Sequence, residues 1–260
     1  MTKYPQARKR WGQNYLQDPG VLDRMKRAIE PAADQQFLEI GPGTGALTRH
    51  LLPDCANLHA IEIDPRMGEY LDPIAAVNAR FSWEVGDILE WSPRPDQQGL
   101  RMVGNIPYYI TSPILIQAFD YRSFLKDAHF LMQKEVARRL VASPGSKEYG
   151  ILSVYAQLFA RTELLFTVGK QVFVPRPNVD SAFIRLNLQE GQSYAPEFET
   201  HLRNVVRTAF NQRRKTLRNS LKSLLPARVP ESFSINLDLR PEQLLPPQFE
   251  TLARELTISE

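Results

Sequence analysis

The sequence predicts an α/β protein, a mainly parallel sheet covered on both faces, followed by a small all-α C-terminal domain. Three observations carry this reading. Short apolar runs recur about 20–27 residues apart between 37 and 133, a spacing that suits buried parallel strands joined by helical crossovers. A glycine-rich turn follows the first of these runs and opens a helix-forming segment. After residue 188 the composition shifts to a long basic amphipathic stretch and a leucine-rich tail.

The elements follow in chain order. The predicted parallel strands are FLEI at 37–40, LHAIEI at 58–63, FSWEV at 81–85, RMVGNI at 101–106 and AHFLMQ at 128–133. A late pair, TELLFTV at 162–168 and AFIRLNL at 182–188, completes the sheet. Between them QVFVPRPNVDS reads as a turn region, because its prolines lack the donor that regular structure needs. EGQSYAPEFE then reads as a linker, and residues 202–225 as one long helix. Leu202, Val205, Val206, Ala209 and Phe210 form its apolar stripe; Arg203, Arg207, Arg214, Arg218 and Lys222 fall together on another face. RPEQLLPPQFETLAREL predicts two short helices, each opened by proline. The expected division is a ligand-binding domain at 1–188 and a helical domain at 189–260.

Composition limits the functional classes. With 260 residues, 43% hydrophobic and 23% charged, the chain has the profile of a soluble globular protein. No stretch approaches the roughly 20 apolar residues of a membrane helix, and the basic, polar start lacks the apolar core of a secretory signal. A single cysteine, Cys55, fits a reducing compartment, so a cytoplasmic protein is expected. Cys55 itself reads as a small buried filler. The four histidines show no metal-ligand spacing, and no metal is expected. The net charge of +3 splits into +7 on residues 201–222 and −4 on the remainder. A basic block on a slightly acidic body, with Lys3, Arg8, Lys9 and Arg10 as a second small cluster, points to a polyanionic partner.

The chemistry concentrates at strand ends. Phe37-Leu-Glu-Ile-Gly41-Pro-Gly43-Thr-Gly45-Ala46 runs from strand through glycine turn to helix, so its backbone can approach a ligand closely. Gly41, Gly43 and Ala46 satisfy the dinucleotide fingerprint, so the loop alone does not separate a dinucleotide from another nucleoside. Glu62 ends the next strand, where a carboxylate can accept from both hydroxyls of a ribose. Asp87 repeats the pattern after the third strand, where it can accept from an adenine amino group or simply cap a helix. The fourth strand ends in Asn105-Ile106-Pro107-Tyr108, which offers an amide oxygen and a stacking face to a planar base bearing an exocyclic amine.

That tetrapeptide resembles the N/D-P-P-Y signature of amino-directed methyltransferases, which makes S-adenosylmethionine the implied nucleoside. The resemblance extends along nearly the whole chain through KRWGQNYLQD, LMQKEVARRL, SPGSKEYGILSV, FVPRPNVDSAFIRL and FNQRRKTLRNSL. On these motifs the sequence is identified as a member of the bacterial small-subunit rRNA adenine N6,N6-dimethyltransferases, the KsgA/RsmA family. Relatives of that family include the macrolide-resistance rRNA methylases. Two positions depart from the family pattern: Tyr109 stands where many members carry Asn, and Trp11 where Phe is usual.

The resemblance implies a Rossmann-like class I methyltransferase sheet and assigns roles. Gln13, Asn14 and Leu16 close over the cofactor. Gly41 contacts its methionine part, Glu62 the ribose, and Asp87 with Ile88 the adenine. Asn105 serves both the cofactor and the target base. It also implies the substrate, N6 of two adjacent adenosines in the 3′-terminal hairpin loop of 16S rRNA within the small ribosomal subunit, with a role in subunit maturation. Asn105 and the carbonyl of Ile106 or Pro107 would accept the two N6 hydrogens, while Tyr108 and Phe173 stack on the flipped base. Arg203, Arg207, Arg213, Arg214, Lys215, Arg218 and Lys222 are the expected phosphate contacts, with Lys147 and Tyr149 of a mobile loop at 143–150 as further candidates. A monomer is expected. Two other readings remain: a large-subunit rRNA adenine methylase of the resistance type, and a non-catalytic assembly or transcription factor on the same fold.

Overall fold

The computed structural model describes residues 6–8, 11–16, 18–226 and 233–257. Lys3, Lys9 and Arg10 of the expected N-terminal basic cluster lie outside them. The elements are β1 (Tyr15–Leu16), α1 (Pro19–Ile29), β2 (Gln36–Ile40), α2 (Ala46–Leu51), β3 (Asn57–Glu62), α3 (Gly68–Val77), β4 (Phe81–Val85) and β5 (Leu100–Asn105). There follow α4 (Thr111–Asp120), β6 (Leu125–Gln133), α5 (Lys134–Leu140), α6 (Ile151–Phe159), β7 (Arg161–Val168), β8 (Phe173–Val174) and β9 (Ser181–Asn187). The chain ends in α7 (Pro196–Asn211), α8 (Leu217–Ser220) and α9 (Pro246–Thr257).

Among the described residues seven strands form one sheet in the order β4-β3-β2-β5-β6-β9-β7. β4, β3, β2, β5 and β6 are mutually parallel, and β9 returns antiparallel to β6. Central strands β2, β5 and β6 are buried almost throughout, as expected for a sheet covered on both faces, whereas edge strands β4 and β7 are partly exposed. The order reverses between β2 and β5. At such a switch point the crossovers leave in opposite directions and open a crevice at the carboxyl ends of the strands. Each sequence-predicted strand lies within a few residues of its observed counterpart.

The region 171–181 is less irregular than its prolines suggest. Phe173–Val174 pairs antiparallel with Tyr15–Leu16, which fastens the N-terminal segment beside the sheet. α1 begins on Asp18, whose carboxylate accepts from the Val21 amide at 2.9 Å, with Pro19 opening the helix.

Polar groups are also built into the sheet. Arg101 on β5 donates through Nε and Nη2 to Asp127 on β6, and its remaining donors reach the Ile29 and Glu30 carbonyls at the end of α1 and the Gln35 side chain. His129 on β6 is fully buried, and burial holds it below its usual range, so the ring is neutral. Its Nε2 accepts from Arg185 Nε at 3.0 Å, and Arg185 also caps the Ala28 carbonyl. Carbonyls at a helix C-terminus carry partial negative charge and lack intrahelical partners, so two arginines satisfy them from beneath.

The chain divides into two compact units, Met1–Ala137 with Thr162–Gln189, and Arg138–Arg161 with Glu190–Glu260. The join at 189/190 lies one residue from the expected boundary, and residues 138–161, expected in the first domain, group with the helical unit. The reason is α6. Its Tyr155 and Phe159 face Arg203 of α7, with the guanidinium carbon 5.2 and 4.6 Å from the two ring centroids. The expected linker is packed as well. A Cβ at Gly191 would fall 2.0 Å from the Phe159 carbonyl oxygen, so only glycine allows this approach. Tyr194 meets the Phe159 and Phe198 rings.

The single helix expected over 202–225 is broken. α7 ends at Asn211, residues 212–216 turn, and α8 starts at Leu217. Had the helix continued at 100° per residue, Arg213 would have fallen on the stripe of Leu202, Val206 and Ala209. The turn instead leaves Arg213 exposed and lets it donate to the Ser146 and Lys147 carbonyls. Leu217 and Leu221 become fully buried, with the Leu217 and Arg218 amides bonded to the Leu239 and Leu237 carbonyls. The tail forms a short 3-10 turn and then α9, where Phe249 stacks on Phe210.

Replacing Asp127 by Ala should destabilise the protein by about 3–5 kcal/mol, because the Arg101 guanidinium would remain buried without its counter-charge. Urea unfolding measures this; a midpoint equal to that of the parent chain would contradict the role given to the pair.

Candidate active site

The carboxyl ends of β2, β3, β4 and β5 open into one cleft that takes in about 1020 Å³ of non-atom space, part of it open solvent. Its walls include Trp11 to Leu16, the Gly41–Thr44 turn, Glu62, Asp87, Ile88 and the run Asn105 to Ile110. The structure therefore brings together Asn14, Leu16, Gly41, Glu62, Asp87, Asn105, Pro107 and Tyr108, eight residues spread over the first 108 positions of the sequence.

Gly41 sits at φ +62, a left-handed conformation, and a Cβ added there would meet nothing within 4 Å. The space is open towards the cleft, so the backbone can be approached closely by a ligand. Glu62 at the end of β3 is 5% exposed. Its two carboxylate oxygens accept from the Gly43 and Asp64 amides, each at 3.0 Å. A carboxylate has about four acceptor positions. The Gly43 and Asp64 amides do not use all of them on Glu62, so the carboxylate can still accept from the hydroxyls of a ribose. Burial raises its pKa, and the two amide bonds oppose that shift.

Asp64, wholly buried, accepts from Gln13 Nε2 at 2.9 Å and is gripped by the Arg66 guanidinium at 2.6 Å. Gln13 in turn accepts from the Arg8 amide. Although burial works against it, hydrogen bonds from Arg66 and Gln13 hold the Asp64 carboxyl below the usual range. Asp64 thus anchors the segment carrying Asn14 over the cleft. Asp87 serves two purposes: its Oδ1 caps the 3-10 turn after β4 by accepting from the Leu89 amide at 2.9 Å, and the residue still lines the cleft. Buried Ile88 supplies an apolar flank beside it.

At the end of β5, Asn105 Nδ2 donates to the Asn14 carbonyl at 2.8 Å. The Ile106 amide is bonded to the Leu131 carbonyl, which fixes the exit of the strand. The Pro107 carbonyl accepts from the Ile110 amide and the Thr111 hydroxyl, so two donors already occupy it. Tyr108 is half-buried, and its hydroxyl lies 2.7 Å from Ser181 Oγ. Trp11 and Tyr109, the two departures from the family pattern, both line the cleft.

Four expectations are corrected. Phe173 is 2% exposed, pairs with Leu16 and belongs to the hydrophobic cluster that includes Val168 and Phe183; it is absent from the described cleft lining. Arg203 is committed to structure, with Glu199 accepting at 2.8 Å and the Tyr155 and Phe159 rings beneath the guanidinium. Tyr149 is fully buried, with its hydroxyl donating to the Leu244 carbonyl and its ring against Phe210. The loop at 143–150 is tied down through this ring and through Arg213. By contrast Arg207, Arg213, Arg214, Lys215, Arg218 and Lys222 are all exposed. Arg218 pairs with Asp238 at 3.3 Å across the surface.

Glu39 escaped the sequence reading. It lines the cleft at 2% exposure and accepts from the Thr48 hydroxyl at 2.6 Å. Burial and the nearby Glu62 push its pKa up to about 7, against the Thr48 hydrogen bond. A carboxylate inside a fully buried strand was the available signal, since such a group needs a reason to be there. Asp64 was visible in Ile-Glu62-Ile-Asp64, but its hold on Gln13 spans 51 positions and leaves no local pattern.

Among the described residues no group of three or more His, Cys, Asp or Glu is arranged to hold a metal ion, and no helix is long and apolar enough to cross a membrane. Comparison with known proteins agrees with the cleft. The family model described as ribosomal RNA adenine dimethylase matches residues 5–257. Proteins named ribosomal RNA small subunit methyltransferase A from Pseudomonas aeruginosa and Pseudomonas putida are 44% and 42% identical over 96% of this chain, covering 94% and 95% of their own lengths. A dimethyladenosine transferase from Plasmodium falciparum superposes with a TM-score of 0.81 at 26% identity, over 94% of this chain and 98% of its own. The 23S rRNA methyltransferase ErmE follows at 0.72 and 26%, over 94% and 100%. With a family model spanning both units and a cleft whose glycine turn and acids suit an adenosyl ligand, the chain belongs to the ribosomal RNA adenine dimethylase family and is an S-adenosylmethionine-dependent methyltransferase of rRNA.

Proposed function

We propose that this enzyme places two methyl groups on N6 of each of two adjacent adenosines in the 3′-terminal hairpin loop of 16S rRNA, acting as a cytoplasmic monomer on the maturing small ribosomal subunit. The observation that carries the chemistry is the Asn105 hydrogen bond to the Asn14 carbonyl. With one Nδ2 hydrogen engaged there, the amide plane is fixed and Oδ1 is left as the acceptor for a base. The Pro107 carbonyl is already doubly bonded to internal donors, which favours the Ile106 carbonyl as the second acceptor.

Adenine N6 is a poor nucleophile because its lone pair is delocalised into the ring. Two acceptors gripping its N–H bonds turn that pair out of conjugation, and the stacking face of Tyr108 holds the ring in place. Glu62 orients the ribose of the cofactor, Asp87 and Ile88 bracket its adenine, and Gly41 with Asn14 and Leu16 encloses its methionine end. S-adenosylmethionine, when bound, supplies an electrophilic sulfonium methyl with its own leaving group. Asn105 stands beside both partners and needs no proton of its own to hold them. Base extrusion costs a few kcal/mol, which contacts outside the pocket offset. Exposed Arg207, Arg213, Arg214, Lys215, Arg218 and Lys222 suit phosphate contact in the helical unit.

The large-subunit reading has the ErmE likeness behind it, but relatives named for the small subunit are 42–44% identical against 26%. A non-catalytic factor would have no use for the intact acceptors at Asn105 and Glu62.

Labelled S-adenosylmethionine, incubated with small subunits from cells lacking the modification, should yield N6,N6-dimethyladenosine on digestion of the small-subunit RNA. Monomethyladenosine confined to large-subunit RNA would instead support the resistance-type methylase. Asn105→Ala is expected to lower kcat at least about 10²-fold with subunit binding retained, and Glu62→Ala to raise KM for the cofactor by a similar factor. Full turnover of Glu62→Ala at low cofactor would remove the ribose assignment. Exchanging Arg214, Lys215 and Lys222 for Gln should weaken RNA binding evenly across sequences and flatten the plot of log affinity against log salt by about 2–3 units. An unaltered slope would take those residues out of the interface.

A further inference from the structure

The turn after β5 leaves Tyr108 in need of an external anchor. Tyr108–Ile110 form a single 3-10 turn with no side-chain cap, so the local backbone does not fix the ring. The phenol oxygen instead reaches Ser181 Oγ at 2.7 Å. Ser181 is fully buried at the start of β9, where it pairs with Gln133 of β6 in the antiparallel ladder. The preceding residue is braced as well. The Asp180 carbonyl accepts from the Lys134 amide at 3.0 Å, and its carboxylate accepts from the Lys170 amide at 3.2 Å. Ser181 is therefore a rigid point, and its complete burial keeps it from touching RNA itself.

We propose that Ser181 is a positioning residue whose hydroxyl sets the tilt of the Tyr108 ring and thereby governs the second methyl transfer to each adenine. The inference rests on the reading above, in which Tyr108 stacks on the base while Asn105 Oδ1 and the Ile106 carbonyl accept its two N6 hydrogens. In each transfer the N6 lone pair forms an N–C bond as the S–C bond breaks. The bonding electrons stay on sulfur as a neutral thioether, and the surplus N6 proton passes to water. After the first transfer N6 retains a single hydrogen, so one of the two acceptors loses its donor. Orientation of the monomethylated base then depends more heavily on stacking, and a loosened Tyr108 ring should penalise the second step more than the first.

Time courses with Ser181→Ala, immature small subunits and S-adenosylmethionine, resolved as nucleosides by mass, test this. The expected result is a first transfer slowed no more than about 3-fold and a second slowed about 10-fold or more, so that N6-methyladenosine accumulates while KM for the cofactor stays within about twofold. Tyr108→Phe removes the same hydrogen bond from its other end and should give the same accumulation, with the double variant no worse than either single one. Ser181→Thr, which retains the hydroxyl, should restore dimethylation. Equal slowing of both transfers, a product ratio like that of the parent enzyme, or additive losses in the double variant would overturn the proposal. If Ser181→Ala fails to fold, Tyr108→Phe decides alone, and a normal time course there overturns it. Tyr108→Ala separates the two levels of argument. Full turnover in that variant would remove the base-stacking reading itself, whereas an inactive Tyr108→Ala beside a normal Tyr108→Phe would remove only the part given to Ser181.

Discussion

The end of β3 is the constraint on which the site depends. Two buried carboxylates, Glu62 and Asp64, stand two residues apart there, linked by the Asp64 amide donating to Glu62. Glu62 pulls the Gly43 amide inward and shapes the glycine turn. Asp64 takes Gln13 and Arg66 and so holds the N-terminal segment across the mouth. One strand terminus thereby organises two walls of the cleft that are far apart in sequence. Burying two carboxylates side by side is unfavourable unless each is well hydrogen-bonded. Here backbone amides stabilise one and a guanidinium the other.

What the sequence made legible and what it hid divide along a physical line. The central strands were visible because a strand buried on both faces must be a short, nearly continuous apolar run, and the partly exposed β4 and β7 were read from runs of the same kind. The glycine turn, Glu62, Asp87 and Asn105 were visible because each immediately follows such a run, and a parallel sheet delivers strand ends to the same edge whatever their spacing. Hidden were matters of tertiary pairing. Phe173 sits in a Pro-rich stretch that reads as a turn, yet its pairing with Leu16 takes it into the core. Glu39 interrupts an apolar run by one letter, and nothing local announces the Thr48 hydroxyl that satisfies it.

The helical unit shows how charge counting goes astray. Seven cations within 22 residues look alike in a sequence, but burial sorts them. Arg203 covers two aromatic rings and pairs with Glu199, so its long side chain acts as packing. α7 ends two residues before Arg213, and this keeps the guanidinium off the stripe of Leu202, Val206 and Ala209. The same residue then secures the loop that carries Tyr149. A strand-to-loop prediction needs only local pattern, whereas the division of arginines between scaffold and surface needs the whole packing arrangement.

The bond between Asn105 and the Asn14 carbonyl also bears on how the four methyl groups are delivered. Each transfer consumes one cofactor, so the spent molecule must leave and a new one enter between steps. If exchange displaces the segment that carries Asn14, its bond to Asn105 is lost, and with it what fixes the Asn105 amide, the acceptor proposed for the base. On the proposed roles, renewing the methyl donor and keeping the base oriented make opposite demands on this one hydrogen bond. Keeping one substrate engaged through successive turnovers would then fall to contacts elsewhere along the RNA, the role proposed for the exposed cations of the helical unit.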